Sequence, residues 1–303
     1  MPVSRIQLCP DGPNFSRFVM GYWRLMGWSL STQALVDFIE AGIELGITTV
    51  DHADIYGGYR VEARFGEALT LAPALREHLE IVTKCGIALV EPERPRHRIK
   101  HYDTSAAHIQ ASVDRSLRNL CTDYIDLLLI HRPDPLMNAD QVAEAFVSLH
   151  TAGKVRHFGV SNFSPRQLEL LQTRLPFPLA TNQLELSPYN LAPFWDGTLD
   201  QCQQRCIAPM AWSCLGGGRL FKGQDTVSER LRPVLSELSA ALGGPSQEQL
   251  LYAWVMTHPS RPLPLLGSQH LDRVCHAIDA ETIQLDRQQW FQILQAAAGE
   301  EVA

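Results

Sequence analysis

An alternation constrains this chain more than any other feature: short runs rich in β-branched and apolar residues are separated by longer stretches of helical period. Seven runs read as strands: TTVDH (48–52), LEIVTKC (79–85), YIDLLLIH (124–131), VRHFGVS (155–161), LATNQLE (179–185), IAPMAW (207–212) and PLPLLGS (262–268). SRFVMG (16–21) in front of them is an eighth. Runs that are apolar nearly throughout need cover on both faces, which means parallel strands joined by helices. Ser31 and Thr32 offer a cap for a helix with Leu35, Phe38, Ile39, Ile43 and Leu45 on its apolar face, closed by Gly46. Asp103 to Leu120 repeats the form through Ile109, Val113 and Leu117. A last helix is predicted from Asp286 to Ala298, with Trp290, Phe291 and Leu294 on one face.

Eight such units in 303 residues predict an α/β fold, a (β/α)₈ barrel of the TIM type. The expected organisation is a single domain over residues 1–303, with an N-terminal cap segment and a C-terminal helix sealing the outside. The rival is an open doubly wound sheet, which announces a bound dinucleotide by G-x-G-x-x-G after its first strand. That motif is absent there, and Gly216-Gly217-Gly218, after the seventh run, lacks a phosphate-loop pattern.

Composition removes several function classes. With 45% apolar and 19% charged residues the chain has ample core material and is not a disordered one. A net charge of -7 without blocks of like charge argues against nucleic acid or an anionic membrane as partner. No window approaches a membrane span, and the N-terminus has no signal-peptide core, so a cytoplasmic protein is expected. Seven scattered cysteines without a C-x-x-C pair suit a reducing compartment. Cys202 and Cys206 stand four apart, but no His or Cys pair completes a zinc site, and no metal is expected.

In a barrel, catalytic groups collect at the C-terminal ends of the strands. Here those ends carry Asp51 and Tyr56, Lys84, His131, Ser161 and Asn162, Gln183 and Glu185, Trp212 and Ser213, and Gly267 and Ser268. An aspartate at a strand end is commonly only a helix cap, and a histidine there only a hydrogen-bonded core residue. Lys84 is different, because lysine is almost never buried unpaired and this chain has 4 lysines among its 26 basic residues. Asp51, on the adjacent strand, is its expected partner. A lysine ammonium beside Tyr56 stabilises the phenolate of a group whose ordinary pKa is about 10. His131 is then placed to align a carbonyl oxygen. Nothing in this set supplies a hydride, so a nicotinamide has to. A Schiff-base role for Lys84 is the alternative, weakened by the expected pairing with Asp51.

TTVDHADIYGG, LCTDYIDLLLIHRPDP and GKVRHFGVSNF together resemble the signatures of the aldo-keto reductase family, and the resemblance runs over nearly the whole chain. Within that family the sequence is similar to the YdhF-type bacterial oxidoreductases. The resemblance implies an NADP(H)-dependent reductase of small-molecule aldehydes or ketones, acting as a monomer. It implies Tyr56 as general acid, completed by Asp51, Lys84 and His131. Ser161, Asn162 and Gln183 are then expected on the nicotinamide carboxamide and Trp212 on its ring. SCLGGGRL is similar to the loop along the pyrophosphate, which implicates Ser213, Leu215, Gly216 and Arg219. LLGSQHLDRV is similar to the segment that holds the adenosine 2′-phosphate, through Gly267, Ser268 and Arg273. The family's asparagine after that arginine is missing, with Cys275, His276 and Ala277 in its place. A regulatory module that binds the cofactor is the second reading, against which the intact tetrad weighs.

Substrate choice falls to the loops. Tyr22, Trp23 and Trp28 either wall the pocket or pack in the core. Arg132, where the family commonly has a bulky aromatic, either charges the substrate mouth or pairs with Asp134, and the salt bridge is expected. The segment 86–103, with Arg94, Arg96, Arg98 and Lys100, reads as a solvated basic loop, the alternative being attraction of anionic substrates or of the cofactor.

Overall fold

The computed structural model describes residues 2–303. Each of the eight runs contains one barrel strand: β1 (Val19–Gly21), β2 (Thr49–Asp51), β3 (Glu80–Cys85), β4 (Ile125–Ile130), β5 (Val155–Ser161), β6 (Asn182–Glu185), β7 (Met210–Trp212) and β8 (Leu263–Leu266). They close into one parallel barrel in the order β6-β7-β8-β1-β2-β3-β4-β5. The strands are shorter than the runs at 16–21, 179–185 and 207–212, where the apolar residues continue into the approach to the barrel. β4 is buried at all six positions, as a strand covered on both faces must be.

The longer helices lie outside the barrel: α1 (Thr32–Glu44), α2 (Val61–Leu71), α3 (Ala106–Asn119), α4 (Ala139–Thr151), α5 (Pro165–Gln172), α6 (Thr198–Gln204), α7 (Thr226–Ala241), α8 (Gln247–Met256), α9 (Leu271–Ile278) and α10 (Arg287–Ala298). Ser31 caps α1 as expected, its hydroxyl accepting from Ala34 N at 3.1 Å. α3 starts later than Asp103: Ser105 is its cap, and Asp103 instead accepts from Ser105 N at 3.0 Å, turning the chain into the helix. Asp286 caps α10 through a capping box with Gln289. α10 seals the outer layer through Trp290, whose ring stacks on that of Trp254 at 5.0 Å. Each indole N–H donates to the other residue's carbonyl at 3.0 Å, which satisfies the polar edge of the buried Trp254 ring and of the half-buried Trp290 ring.

A short hairpin, Arg5–Gln7 against Asn14–Ser16, closes the bottom of the barrel. It is tied on by exchange between Ser16 and Thr49, each side-chain hydroxyl accepting the other's backbone N–H at 3.0 Å. Phe15 and Leu8 from it are fully buried. The opposite rim, where β2 to β7 end, is left to loops. No helix among the described residues is long and apolar enough to cross a membrane.

Candidate active site

The register of β2 and β3 pairs Asp51 with Val82, so Lys84, two residues on, points to the same inner face. Lys84 Nζ donates to Asp51 Oδ1 and Oδ2 at 2.8 and 2.7 Å and to the carbonyl of His52 at 2.7 Å. Its remaining neighbour is the Tyr56 hydroxyl at 3.1 Å. Tyr56 comes from the loop after β2. It is followed by Gly57 and Gly58 at φ +59° and +65°, a left-handed turn in which a Cβ at Gly57 would lie 2.5 Å from Met26 Cγ. His131 follows β4 directly, anchored by its N–H to the Cys85 carbonyl at 2.8 Å. Its ring stands edge-on to that of Tyr56, 5.8 Å between centres. The four residues Asp51, Tyr56, Lys84 and His131 therefore meet in one place.

Burial sets the protonation of this group. It works against the Lys84 charge, but Asp51 and Tyr56 outweigh it, and the ammonium is held above its ordinary pKa. A cation so held is no Schiff-base nucleophile. For Tyr56 burial also leads: it raises the phenol, against the pull of Lys84 and Arg132, so the residue stays protonated well into alkaline pH. The balance expected from lysine alone, a stabilised phenolate, is thus reversed by desolvation. His131 is pushed well below the usual imidazole range by burial and by the charges of Lys84, Arg132 and Lys100, and is neutral. Among the described residues its Nδ1 is buried without a partner, and Nε2 makes no hydrogen bond.

Of the residues expected around a nicotinamide, Gln183 reaches this centre directly, with Ser161 and Asn162 behind it. Gln183 Nε2 donates to Asp51 Oδ1 at 2.7 Å, so its amide nitrogen belongs to the ionic cluster. Ser161 Oγ donates to the Gln183 carbonyl at 2.9 Å and accepts from Asn162 Nδ2 at 2.7 Å. Asn162 and Ser213 both have left-handed φ, +59° and +55°. Beyond Trp212, Leu215 packs on the core and Gly216 to Gly218 form a tight turn in which a Cβ on Gly217 or Gly218 would meet nothing within 4 Å. The same holds at Gly267. Arg219 is tied to Asp225 at 3.1 Å and lies over the Tyr189 ring. Ser268 Oγ accepts from His270 N at 3.1 Å at the start of α9, whose N-cap His270 gives no side-chain cap. Arg273, on that helix, is exposed and makes no ion pair among the described residues.

The loops depart from expectation. The Arg132–Asp134 salt bridge does not form: Asp134 accepts instead from Thr104 Oγ1 and Leu136 N, both at 2.8 Å, and the Arg132 guanidinium lies 5.6 Å from the centre of the Trp212 ring. Tyr22 and Trp28 are buried, Tyr22 stacked on His52 at 5.0 Å, while Trp23 is 62% exposed. The segment 86–103 is more than a solvated loop: Ile87–Ala88 pairs with His101–Tyr102, and Arg94 lies 3.6 Å above the Tyr59 ring. The Tyr59 hydroxyl also accepts from Leu89 N at 2.8 Å. Sequence reasoning passed over Tyr59, whose place right after the two left-handed glycines, itself at φ +65°, was the available signal. Cys202 is buried and Cys206 exposed, both as free thiols.

A closed parallel barrel whose upper rim joins a buried Lys–Asp pair to a tyrosine and a histidine defines a class of oxidoreductase. The sequence profile of the Aldo/keto reductase family matches residues 17–298, and the chain belongs to that family. Among its relatives, Oxidoreductase YdhF of Escherichia coli (strain K12) is 59% identical over 300 residues, covering 99% of each chain. Uncharacterized oxidoreductase YcsN of Bacillus subtilis (strain 168) is 51% identical over 99% of this chain and 100% of that one. A 6-dehydroglucose reductase of Agrobacterium fabrum is 44% identical over 97% of this chain and 98% of its own. The solved structure of a thermostable aldo-keto reductase, Tm1743, shares the fold with a TM-score of 0.80, over 96% of this chain and 99% of that one, at 24% identity.

Proposed function

We propose that the protein reduces an aldehyde or ketone to the alcohol with NADPH as donor, Tyr56 giving the proton to the carbonyl oxygen. The observation that carries this reading is the contact of Lys84 Nζ with both Asp51 and the Tyr56 hydroxyl. Tyr56, kept protonated by burial, holds the proton to be given, and Lys84 stabilises the phenolate left behind. His131, neutral and with Nε2 unengaged, donates to the same oxygen and fixes the carbonyl in the attack geometry. Asp51 keeps Lys84 charged and in place.

The chain offers what a nicotinamide dinucleotide needs. Bound, that group supplies a hydride to the carbonyl carbon. Ser161, Asn162 and Gln183 are the proposed contacts of its carboxamide, and Trp212 of its ring. The open backbone of Gly217, Gly218 and Gly267 leaves room for phosphate oxygens to approach N–H groups. Ser268 and the unpaired Arg273 are the proposed ligands of a 2′-phosphate, which is the ground for NADPH over NADH.

Two relatives, 44% and 37% identical, carry the name 6-dehydroglucose reductase, so oxidised sugars fall within the proposed substrate range. The enzyme is proposed to act as a cytoplasmic monomer, in keeping with its seven free thiols. The test is NADPH consumption with and without aldehyde, beside an NADH control. Aldehyde-dependent oxidation that prefers NADPH supports the reading, and tight NADPH binding with no oxidation by any aldehyde or ketone refutes it in favour of a regulatory role.

A further inference from the structure

Among the charged side chains around the site, Arg132 and Glu185 carry no proton or hydride in the proposed transfer. Gln183 points into the barrel, since its amide reaches Asp51. Glu185, two residues further along β6, shares that face one level higher, at the rim. Its register partner on β7 is Trp212, as Met210 is the partner of Gln183 below. Arg132, one residue past His131 at the end of β4, comes to the same indole with its guanidinium 5.6 Å from the ring centre.

Neither charge is paired with an opposite one among the described residues. Asp134 is occupied by Thr104 and Leu136, and Arg132 has no ion pair among the described residues. Among the described residues the Glu185 side chain makes no hydrogen bond, while its backbone carbonyl accepts from Asn190 Nδ2 at 2.9 Å. Its carboxyl is raised by burial and drawn back by Arg132 and Arg219, so the two charges of the mouth sense one another without joining. A guanidinium and a carboxylate that share Trp212 as neighbour, and form no ion pair with each other among the described residues, are both left to a ligand that satisfies the two.

We infer that Arg132 and Glu185 select the substrate, by gripping adjacent hydroxyls of a polyhydroxylated aldehyde whose carbonyl lies against Tyr56 and His131. The guanidinium donates hydrogen bonds to the hydroxyl oxygens, and the hydroxyls donate hydrogen bonds to the carboxylate. An apolar aldehyde leaves both charges bare in a half-buried mouth, and an anionic one meets the Glu185 carboxylate. The inference rests on the reductase reading and adds to it the two residues that select a polyhydroxylated substrate.

The experiment compares glyceraldehyde, 4-nitrobenzaldehyde and succinic semialdehyde as substrates of the wild type, Arg132→Ala, Arg132→Lys and Glu185→Ala. In Arg132→Ala and Glu185→Ala the ratio of kcat/KM for glyceraldehyde to that for 4-nitrobenzaldehyde falls about tenfold or more. The fall lies mainly in KM, and Arg132→Lys recovers part of it. Equal losses on both aldehydes overturn the inference, since they mean that Arg132 acts through His131 or the fold. A wild-type preference for succinic semialdehyde that vanishes with Arg132 overturns it too, in favour of a carboxylate site. If the wild type reduces no aldehyde, the reductase reading fails by itself. Titration of sorbitol against tryptophan fluorescence, with NADP present, then decides the grip: binding weakened by Arg132→Ala upholds it, and binding absent or unchanged overturns it.

Discussion

Lys84 Nζ holds both carboxylate oxygens of Asp51, at 2.8 and 2.7 Å, in a pair whose side chains are 1% and 2% exposed. A buried pair of this kind is only modestly stabilising in sum, because desolvation offsets most of the attraction. Breaking it from one side is another matter. Asp51→Asn leaves the ammonium buried with neutral partners only, an amide oxygen, the His52 carbonyl and the Tyr56 hydroxyl, and is expected to cost about 3–5 kcal/mol of stability. Chemical denaturation checks this, and a cost near zero would mean that Lys84 sheds its proton or its position freely.

A second buried acid predicts how stability depends on pH. Asp54 is 3% exposed with both carboxyl oxygens unpartnered, and burial, aided by the charge of Glu62, raises it from 3.8 to about 8. Between those two values the folded chain holds a proton that the unfolded chain has lost, so stability falls as pH rises across that window. The full cost is present above pH 8. Asp54→Asn removes this dependence, so the variant gains on the wild type steadily from about pH 4 to about pH 8 in denaturation midpoints. A constant difference between the two proteins would show that Asp54 is ionised throughout.

In the proposed reading, Arg273 carries the choice of cofactor. Its guanidinium is exposed and unpaired on α9, so a 2′-phosphate gains a charge-assisted contact without breaking one. Arg273→Met is expected to weaken NADPH binding about 10- to 100-fold while leaving NADH nearly as it was. Cofactor titrations of both forms measure it, and parallel losses for the two cofactors would place Arg273 in the fold rather than on the phosphate.

The barrel was legible because strands such as β4 are buried on both faces and so read as apolar runs, whatever their partners. The catalytic candidates were legible because they sit where those runs stop: Asp51, Lys84 and His131 each lie at or next to a strand's end. What escaped depends on contacts between distant segments. Asp134 was the natural partner for Arg132 by spacing, but Thr104 on the preceding loop claims it, and no local pattern announces that. Tyr22 has the same sequence signature as a pocket aromatic, and only His52 and Phe65, brought up by the barrel, put it in the core. The hairpin of Arg5–Gln7 and Asn14–Ser16 is three residues a side, too short for its alternation to register. The protonation of Tyr56 escaped as well, since residue types named the neighbouring ammonium but not the depth of burial that outweighs it.

The central claim is that the Tyr56 hydroxyl, held by Lys84 at 3.1 Å, is the proton donor of a carbonyl reduction. Its most direct test is one comparison: aldehyde-dependent NADPH oxidation by the wild type and by Tyr56→Phe, with NADPH affinity measured on both. Losing the proton donor is expected to lower turnover by about 100-fold or more, with cofactor affinity nearly unchanged. Turnover in Tyr56→Phe at the level of the wild type would contradict the account.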